Sequence, residues 1–461
     1  MQSPRSRGTT VEVRTMTRAS VAAATPRRAA PPLDMLLSMM ERDGNSWFAN
    51  YRGIEIRSAF QPVLSVAHAK VIGFEALMRA RTPKGEALPP PLVFSLARRH
   101  DEAVLLDRLS RAVHVANFAD QGGDLGWLFL NVLPQILEAS WEDAVFAEDL
   151  IKHFGLPAER IVLEVLEQPA ADERTLTRTV DAFHSKNFLI AIDDFGSGFS
   201  NFDRIWSTRP DIVKLDRSLV GRLTQRSSDH ELMRHLVSML HQAGTMVLAE
   251  GVEADGELMA LMDADVDFVQ GYWLARPHFS LSRARQAALE RAPLLWPLFG
   301  SHVARAPHLP AIRFESFEST MTAAANLYAR ERSLERAAEI VFKVAGARCV
   351  FTVDEHGMQA SDAVLAPLPP GPAAERRDAA KRRLAPLLDG SPGNWSRRAY
   401  FKRAVAAPGR VAVMGPYFSL TEGKGCHTAA VSVLVDGRTT VFCADFVPND
   451  DGAELDLSDT E

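Results

Sequence analysis

Cysteine is scarce in this chain. The three that occur in 461 residues, Cys349, Cys426 and Cys443, show no metal-ligand spacing and suit a reducing cytosol. Long hydrophobic runs are missing too. None approaches the ~18 residues that a membrane-spanning helix needs, so no membrane span is expected. The N-terminus carries arginines but no apolar core of a signal peptide, so no secretory signal is expected either. There is no excess of basic charge: 52 Lys and Arg stand against 58 Asp and Glu, a formal net charge of −6. That argues against a nucleic-acid polymer as partner, which calls for a basic face. It leaves room for a nucleotide held by metals and a few cations. His68, His114, His184, His235 and His241 have no ligand spacing and read as helix or rim residues. What remains is ordinary for a globular protein, 46% hydrophobic and 24% charged, and long enough for two or three domains.

What is present centres on Leu189 to Asn201. Leu189-Ile190-Ala191-Ile192 is a short apolar run, the pattern of a strand buried on both faces. It ends in two adjacent carboxylates, Asp193 and Asp194, followed at once by Phe195-Gly196-Ser197-Gly198. Two carboxylates about 4 Å apart repel by roughly 4 kcal/mol at an effective dielectric near 20. A cation would offset that repulsion. Alone, the stretch is equally readable as a solvated turn, because Asp and Gly are common turn residues.

From Tyr51 to Arg285 the same punctuation recurs. Val71-Ile72-Gly73-Phe74 ends in Glu75, Trp127 to Leu130 in Asn131, Ile161 to Leu163 in Glu164, Met246 to Ala249 in Glu250, and Val266 to Val269 in Gln270; Ile212-Val213 leads to Lys214 and Asp216. Amphipathic helix candidates, such as Glu102 to Phe118 and Asp229 to Ala243, lie between the runs. Strand–helix repetition of this length predicts a (β/α) barrel, whose C-terminal strand ends share one face. An open doubly wound sheet is the alternative, but no Gly-x-Gly-x-x-Gly fingerprint follows the first strand. One acidic residue at a strand end is ordinarily a helix cap or a solvated rim residue. Five of them, Glu75, Glu164, Asp193, Asp194 and Glu250, with Asn131 and Gln270, are hard to explain that way. Oxygen ligands without a His or Cys cluster point to a hard cation, Mg²⁺ or Mn²⁺.

These residues resemble the EAL family of bacterial phosphodiesterases that open cyclic di-GMP. The signature stands as Glu75-Ala76-Leu77, within Gly73 to Arg79. Phe60-Gln61-Pro62-Val63, Asn131-Val132-Leu133-Pro134, Glu164-Val165-Leu166-Glu167, Asp193-Asp194-Phe195-Gly196, Lys214-Leu215-Asp216, Ala249 to Glu253 and Gln270-Gly271-Tyr272 are similar to the other family motifs, in family order. The likeness runs from Arg57 to Pro277. It implies a TIM-like (β/α)8 barrel and two divalent metal ions, Mg²⁺ or Mn²⁺. Glu75, Asn131, Glu164 and Asp193 would hold one ion, and Asp193, Asp194 and Glu250 would gather around the second. The likeness also implies catalytic roles for Glu75, Lys214, Asp216, Glu250 and Glu167. Lys214 would neutralise charge near the phosphorus, Asp216 would orient Lys214 or a water, and Glu167 would pin the loop after Asp194. Arg79, Gln61, Gln270 and Asp194 would contact substrate, with Arg79 clamping a phosphate oxygen. A homodimer is implied as well.

Some positions depart from the family pattern. Ala80 stands where an aromatic residue often follows Arg79, Leu166 where Thr is common, and Ser197 and Phe199 in place of Thr and Tyr; Asn201 is also unusual. None removes an implied metal ligand. The expected activity is therefore hydrolysis of cyclic di-GMP to linear pGpG by a cytoplasmic enzyme. The alternatives are a catalytically weak cyclic di-GMP receptor that signals through its C-terminal half, and a scaffold that binds neither metal nor nucleotide.

Outside the barrel, residues 1–33 read as a disordered basic arm or an over-extended start, the barrel as 45–285, and 286–345 as a helical linker. From Cys349 the pattern changes to strands, with Asp436-Gly437 between two alternating runs as a hairpin signal. Trp395 to Phe401 is expected to open a helix and Pro367 to Arg383 to form a loop. Residues 346–447 loosely resemble an α+β PAS/Cache-like domain. That likeness implies a sensor for an unknown small-molecule ligand, with Arg397, Arg398, Tyr400 and Tyr417 as candidate contacts, or a dimerisation module. Residues 448–461 read as an acidic, disordered tail.

Overall fold

The computed structural model describes residues 31–97, 99–122, 126–133, 140–166, 173–197, 202–222, 227–302, 315–388 and 392–447. The basic arm up to residue 30, the acidic tail, Pro134, Glu167 and residues 198–201 lie outside them. A short helix, Leu33–Ser38, leads into a hairpin of β1 (Met40–Asp43) and β2 (Ser46–Tyr51). Then come β3 (Ile54–Ser65), β4 (Lys70–Arg81), the two-residue β5 (Ala87–Leu88), β6 (Trp127–Val132), β7 (Ile161–Leu166), β8 (Leu189–Phe195), β9 (Ile212–Leu215), β10 (Met246–Ala249) and β11 (Phe268–Val269). Eight of these close a barrel in the order β3-β11-β10-β9-β8-β7-β6-β4 and back to β3.

The barrel is the expected (β/α)8 type with one strand inverted. β3 runs antiparallel to both β4 and β11, whereas the other pairs are parallel. The cause is connection length. Only Val66 to Ala69 separate β3 from β4, too few for the crossover that a parallel pair requires.

Strand alternation divides the barrel into two apolar layers. Leu128, Leu130, Ile190, Ile192, Val247 and Ala249 point outward and pack beneath the surrounding helices. Trp127, Phe129, Val162, Leu189, Ala191, Ile212, Met246, Leu248 and Phe268 point inward and fill the lower half of the barrel. That inner cluster does not stop at the barrel floor. It continues into Ala380, Leu384, Leu387 and Phe418 of the C-terminal half.

The C-terminal half is an antiparallel five-stranded sheet in the order β13-β12-β16-β15-β14, an α+β arrangement. Its strands are β12 (Ala347–Val353), β13 (Val364–Leu365), β14 (Ala412–Ser419), β15 (Lys424–Val435) and β16 (Arg438–Phe446). The β15–β16 hairpin turns at Asp436 and Gly437, both with positive φ (50° and 77°), the geometry an Asp-Gly pair favours. Helices Glu315–Glu331 and Leu334–Val341 cover one face of this sheet through Phe317, Met321, Ala338 and Val341. Helix Ala399–Ala406 lies on the other face, with Tyr400 and Phe401 inward. It starts four residues later than Trp395. The segment expected as a loop, Pro367 to Arg383, is instead largely helical, Pro372–Arg383. Pro fits the first helical turn, and Ala, Glu, Arg and Lys then dominate; the lack of an apolar stripe hid the helix from periodicity. Among the described residues no helix is long and apolar enough to cross a membrane.

Candidate active site

The barrel's inward residues run in steps of two, and one further step along six strands changes their chemistry. Phe129 is followed by Asn131, Val162 by Glu164, Ala191 by Asp193, Ile212 by Lys214, Leu248 by Glu250 and Phe268 by Gln270. Strand periodicity alone thus carries scattered polar residues to one level at the C-terminal mouth. β4 adds Glu75, which lies opposite Gln61 of β3 in the ladder.

β8 supplies two carboxylates through a local irregularity. In a regular strand Asp193 and Asp194 would face opposite ways. Here the β8–β9 register shifts between Ile192 and Phe195, and Asp194 takes a left-handed backbone, φ 57°. A bulge of this kind re-aims a side chain. As a result, ligand atoms of Asp193, Asp194 and Glu250 lie within 4.8 Å of one another. Gly196 (φ 97°) completes the bend, and a Cβ there would meet Leu219 Cδ1 at 2.2 Å. At Gly271, after Gln270, a Cβ would lie 2.1 Å from the carbonyl oxygen of Val252, so only glycine fits.

Lys214 sits at the centre, 1% exposed, with Nζ 2.5 Å from Glu164 Oε1, 2.6 Å from Glu250 Oε1, 3.0 Å from Asp193 Oδ1 and 4.0 Å from Glu75 Oε1. Burial alone would lower its pKa, but the fields of Asp193, Glu164, Glu250 and Glu75 outweigh burial and hold the ammonium well above its ordinary range. Glu75 is gripped from two sides. Asn131 Nδ2 donates to one oxygen at 3.2 Å and Gln270 Nε2 to the other at 2.6 Å. Gln270 also donates to Gln61 Oε1 at 3.2 Å, and Gln61 Nε2 donates to the Ala275 carbonyl. Burial and the charge of Glu75 push Glu164 well above the usual carboxylate range, and burial raises Glu250. Asp194 is raised too, by burial and by Asp193 and Asp216.

Five carboxylates therefore meet one ammonium, an imbalance that two divalent cations would neutralise. The donor set is suited to them. Glu164 is fully buried; Lys214 reaches its Oε1 as an ion pair, while its Oε2 and Gln270 Oε1 accept no hydrogen bond among the described residues. Orphaned oxygens in a buried, oxygen-only cluster are what a hard cation satisfies.

The remaining residues singled out in the sequence are placed differently. Arg79, on β4, is half-buried and donates to the Met78 carbonyl; burial lowers its pKa while Tyr272 and Glu75 raise it. Asp216 caps helix Arg217–Val220, accepting from Ser218 N at 2.9 Å, and makes no contact with Lys214. Glu167 lies outside the described residues. The histidines hold structure: His114 bonds Ser58 and Ser110, and His184 and His241 face Asp211 and Asp267. Sequence reasoning missed a buried network behind Asn131. Arg111 bridges Asp107 (2.7 Å) and Asp143 (2.9 Å), and Asp107 accepts from Leu133 N, bracing the end of β6. The i, i+4 spacing of Asp107 and Arg111 was the available signal.

Comparison with known proteins identifies the domain that forms the barrel. The EAL domain family matches residues 49–277. Probable cyclic di-GMP phosphodiesterase PdeN of Escherichia coli (strain K12) is 28% identical over 251 residues, covering 52% of this chain and 47% of that protein. Probable cyclic di-GMP phosphodiesterase PdeG of the same organism is 26% identical over 235 residues, 48% and 45% of the two chains. The chain thus spans about half the length of these curated relatives. Among solved structures, a standalone EAL protein from Vibrio cholerae O395 in its c-di-GMP-bound form is 28% identical with a TM-score of 0.44, covering 49% of this chain and 93% of that one. A manganese/cy-diGMP complex of Klebsiella pneumoniae BlrP1 is 25% identical with a TM-score of 0.45, covering 48% and 56%. With its signature glutamate set among the strand-end carboxylates of a closed barrel, this chain carries an EAL domain at residues 49–277.

Proposed function

We propose that the barrel, residues 45–285, is a cytoplasmic, metal-dependent phosphodiesterase that hydrolyses cyclic di-GMP to linear pGpG, and that residues 346–447 regulate it. One observation carries the reading: four carboxylates converge on a single buried lysine at the barrel mouth, and a fifth, Asp194, joins two of them within 4.8 Å. A structural role would favour balanced charge. Glu75, Asn131, Glu164 and Asp193 would hold one Mg²⁺ or Mn²⁺, and Asp193, Asp194 and Glu250 a second. Bound there, such ions supply Lewis acidity and a water nucleophile at neutral pH. The chain's own residues do the rest. Lys214 places a fixed positive charge where the phosphorus gains negative charge. Arg79 presents a planar fork to a non-bridging phosphate oxygen. Gln270 orients Glu75, is braced in turn by Gln61, and with it faces the substrate. The names of the two Escherichia coli relatives support the substrate. The exposed Trp206, on the helix that follows Asp194, suits a homodimer contact. Regulation is supported by the apolar interior that barrel and C-terminal sheet share.

The test is chromatography of cyclic di-GMP incubated with purified protein and Mg²⁺ or Mn²⁺, beside Glu75→Ala. Linear dinucleotide from the wild type alone is the expected result. Binding without product, in both metals, would replace the enzyme with a receptor.

A further inference from the structure

The C-terminal sheet holds a second concentration of chemistry, remote from the mouth. Its side chains alternate, so cross-strand partners share a face. Asp445 is paired with Cys349 on one side and Thr428 on the other, and Cys426 with Tyr417. All five line a cavity of about 640 Å³ between the sheet, the segment around Trp395 and the barrel-floor residue His68. Phe351, Trp395, Tyr400 and Phe418 complete an aromatic enclosure. Tyr400 and Tyr417 meet edge to face at 5.6 Å between ring centroids, and Trp395 meets His68 in the same way at 5.9 Å.

Charge decides what such an enclosure would take. Among the described residues the lining contains one arginine or lysine, Arg398; its guanidinium is engaged by Asp265, lies 3.6 Å from Asp267 and covers the Tyr417 ring at 4.5 Å, which leaves Phe351, Trp395, Tyr400 and Phe418 as the open aromatic walls. Asp445 has no such partner. Its oxygens accept from Thr428 Oγ1 at 2.7 Å and from Cys349 Sγ at 3.4 Å, and among the described residues it forms no ion pair. Asp362 adds a second carboxylate at the rim. The cavity is thus net acidic, walled by π-faces and large enough for a drug-sized molecule. Aromatic faces around a carboxylate attract organic cations and repel organic anions.

We propose that this cavity is a binding site for a small organic cation, an amine or protonated nitrogen base, held by Asp445 between the aromatic walls. The site is independent of the reading of the barrel mouth. Its occupant would bridge the two halves, because His68 belongs to the barrel and the remaining walls to the C-terminal half. The test uses the full chain and three molecules of similar shape: phenethylamine, phenethyl alcohol and phenylpropionate. Calorimetry and thermal melting are run with each. Phenethylamine at millimolar concentration is expected to raise the melting temperature by about 2 °C or more, the alcohol less, and the acid not at all. Asp445→Asn should weaken phenethylamine binding at least tenfold. Where that variant melts abnormally without ligand, Trp395→Leu serves instead, with the same expectation. No response to phenethylamine, an equal response to phenylpropionate, or undiminished binding by a folded Asp445→Asn or Trp395→Leu variant would each overturn the proposal.

Discussion

The two ends of the barrel are both ringed with acidic residues, yet their charge is handled in opposite ways. At the mouth, Glu75, Glu164, Asp193 and Glu250 share Lys214, and Asp194 crowds in beside Asp193 and Glu250. At the floor each acid has a cationic or imidazole partner from the C-terminal half or from a barrel helix. Arg383 pairs with Asp211, Arg397 and Arg398 with Asp265, Lys402 with Asp263 at 3.1 Å, and His241 with Asp267 at 2.8 Å. Trp127 Nε1 and Asn394 N add neutral bonds across the same joint, to the carbonyls of Arg383 and Ala67. Buried acids that each meet opposite charge hold parts in place; a buried cluster left in excess stores repulsion that a ligand can relieve. The number of acidic residues at each end says little. Their pairing separates a joint from a chemical site.

The sharpest way to break this contrast is to unpair the floor. Asp265 faces Arg397 and Arg398, which are 3% and 4% exposed, and its own backbone is left-handed, φ 70°. Asp265→Asn keeps that backbone conformation accessible and removes only the charge. It should cost about 3 kcal/mol or more, because buried Arg397 loses its ion-pair partner and buried Arg398 keeps only the longer contact to Asp267. Urea unfolding followed by circular dichroism measures this; a loss below about 1 kcal/mol would mean that the floor pairs are ornamental. At the mouth the same kind of change should do the reverse. Asp193→Asn is expected to reduce cyclic di-GMP turnover by roughly 10²–10³-fold while leaving the metal-free protein as stable as before or about 1 kcal/mol more stable, since a like charge is gone. A large loss of stability there would make the mouth a joint as well.

Acid sharpens the comparison further. Burial would raise Asp267, but His241 and then Arg398 and Arg397 outweigh burial and bring it down to about 2 from an ordinary 3.8. A depressed carboxylate contributes stability that is present above 3.8 and lost as pH falls through about 2, here about 2 kcal/mol in all. At the mouth Glu164 and Glu250 are displaced upward, so they do not share this acid-side loss. Denaturant midpoints between pH 5 and pH 2 should therefore fall more steeply in the wild type than in Asp267→Asn.

Much of the barrel was legible because period-two alternation and polar strand ends are local signals. Asn131, Glu164, Asp193, Lys214, Glu250 and Gln270 could be lined up from the sequence alone. The inversion of β3 was legible too, in the four residues before β4, though parallel order was the simpler expectation. The convergence of Asp193 with Asp194 was expected from the family resemblance, but the bulge that produces it is announced by no residue pattern. Nor was the floor joint legible. Asp211 and Asp265 precede apolar runs as turn residues commonly do, and their arginine partners lie more than a hundred residues away. Long-range pairing leaves no periodicity. Helix Pro372–Arg383 escaped for a related reason: Ala380 is its one buried residue, so it presents no stripe.

Asp216 offers the smallest effect and the finest division between the two kinds of acid. The family resemblance makes it an orienter of Lys214 or a water. In the structure its carboxylate caps helix Arg217–Val220, while its charge reaches the mouth only as a field on Asp194. Two substitutions separate these roles. Asp216→Ala removes the cap and should cost about 1 kcal/mol. Asp216→Asn keeps a capping oxygen and should leave stability within about 0.5 kcal/mol. If the field on Asp194 is the whole of its influence, Asp216→Asn shifts the half-saturating Mn²⁺ concentration by less than about tenfold and spares the turnover at saturating metal, because a charge outside the cluster perturbs affinity only weakly. Turnover falling in Asp216→Asn as far as in Asp193→Asn would instead count Asp216 among the unmatched acids and extend the chemical site beyond the strand ends to the first turn of that helix.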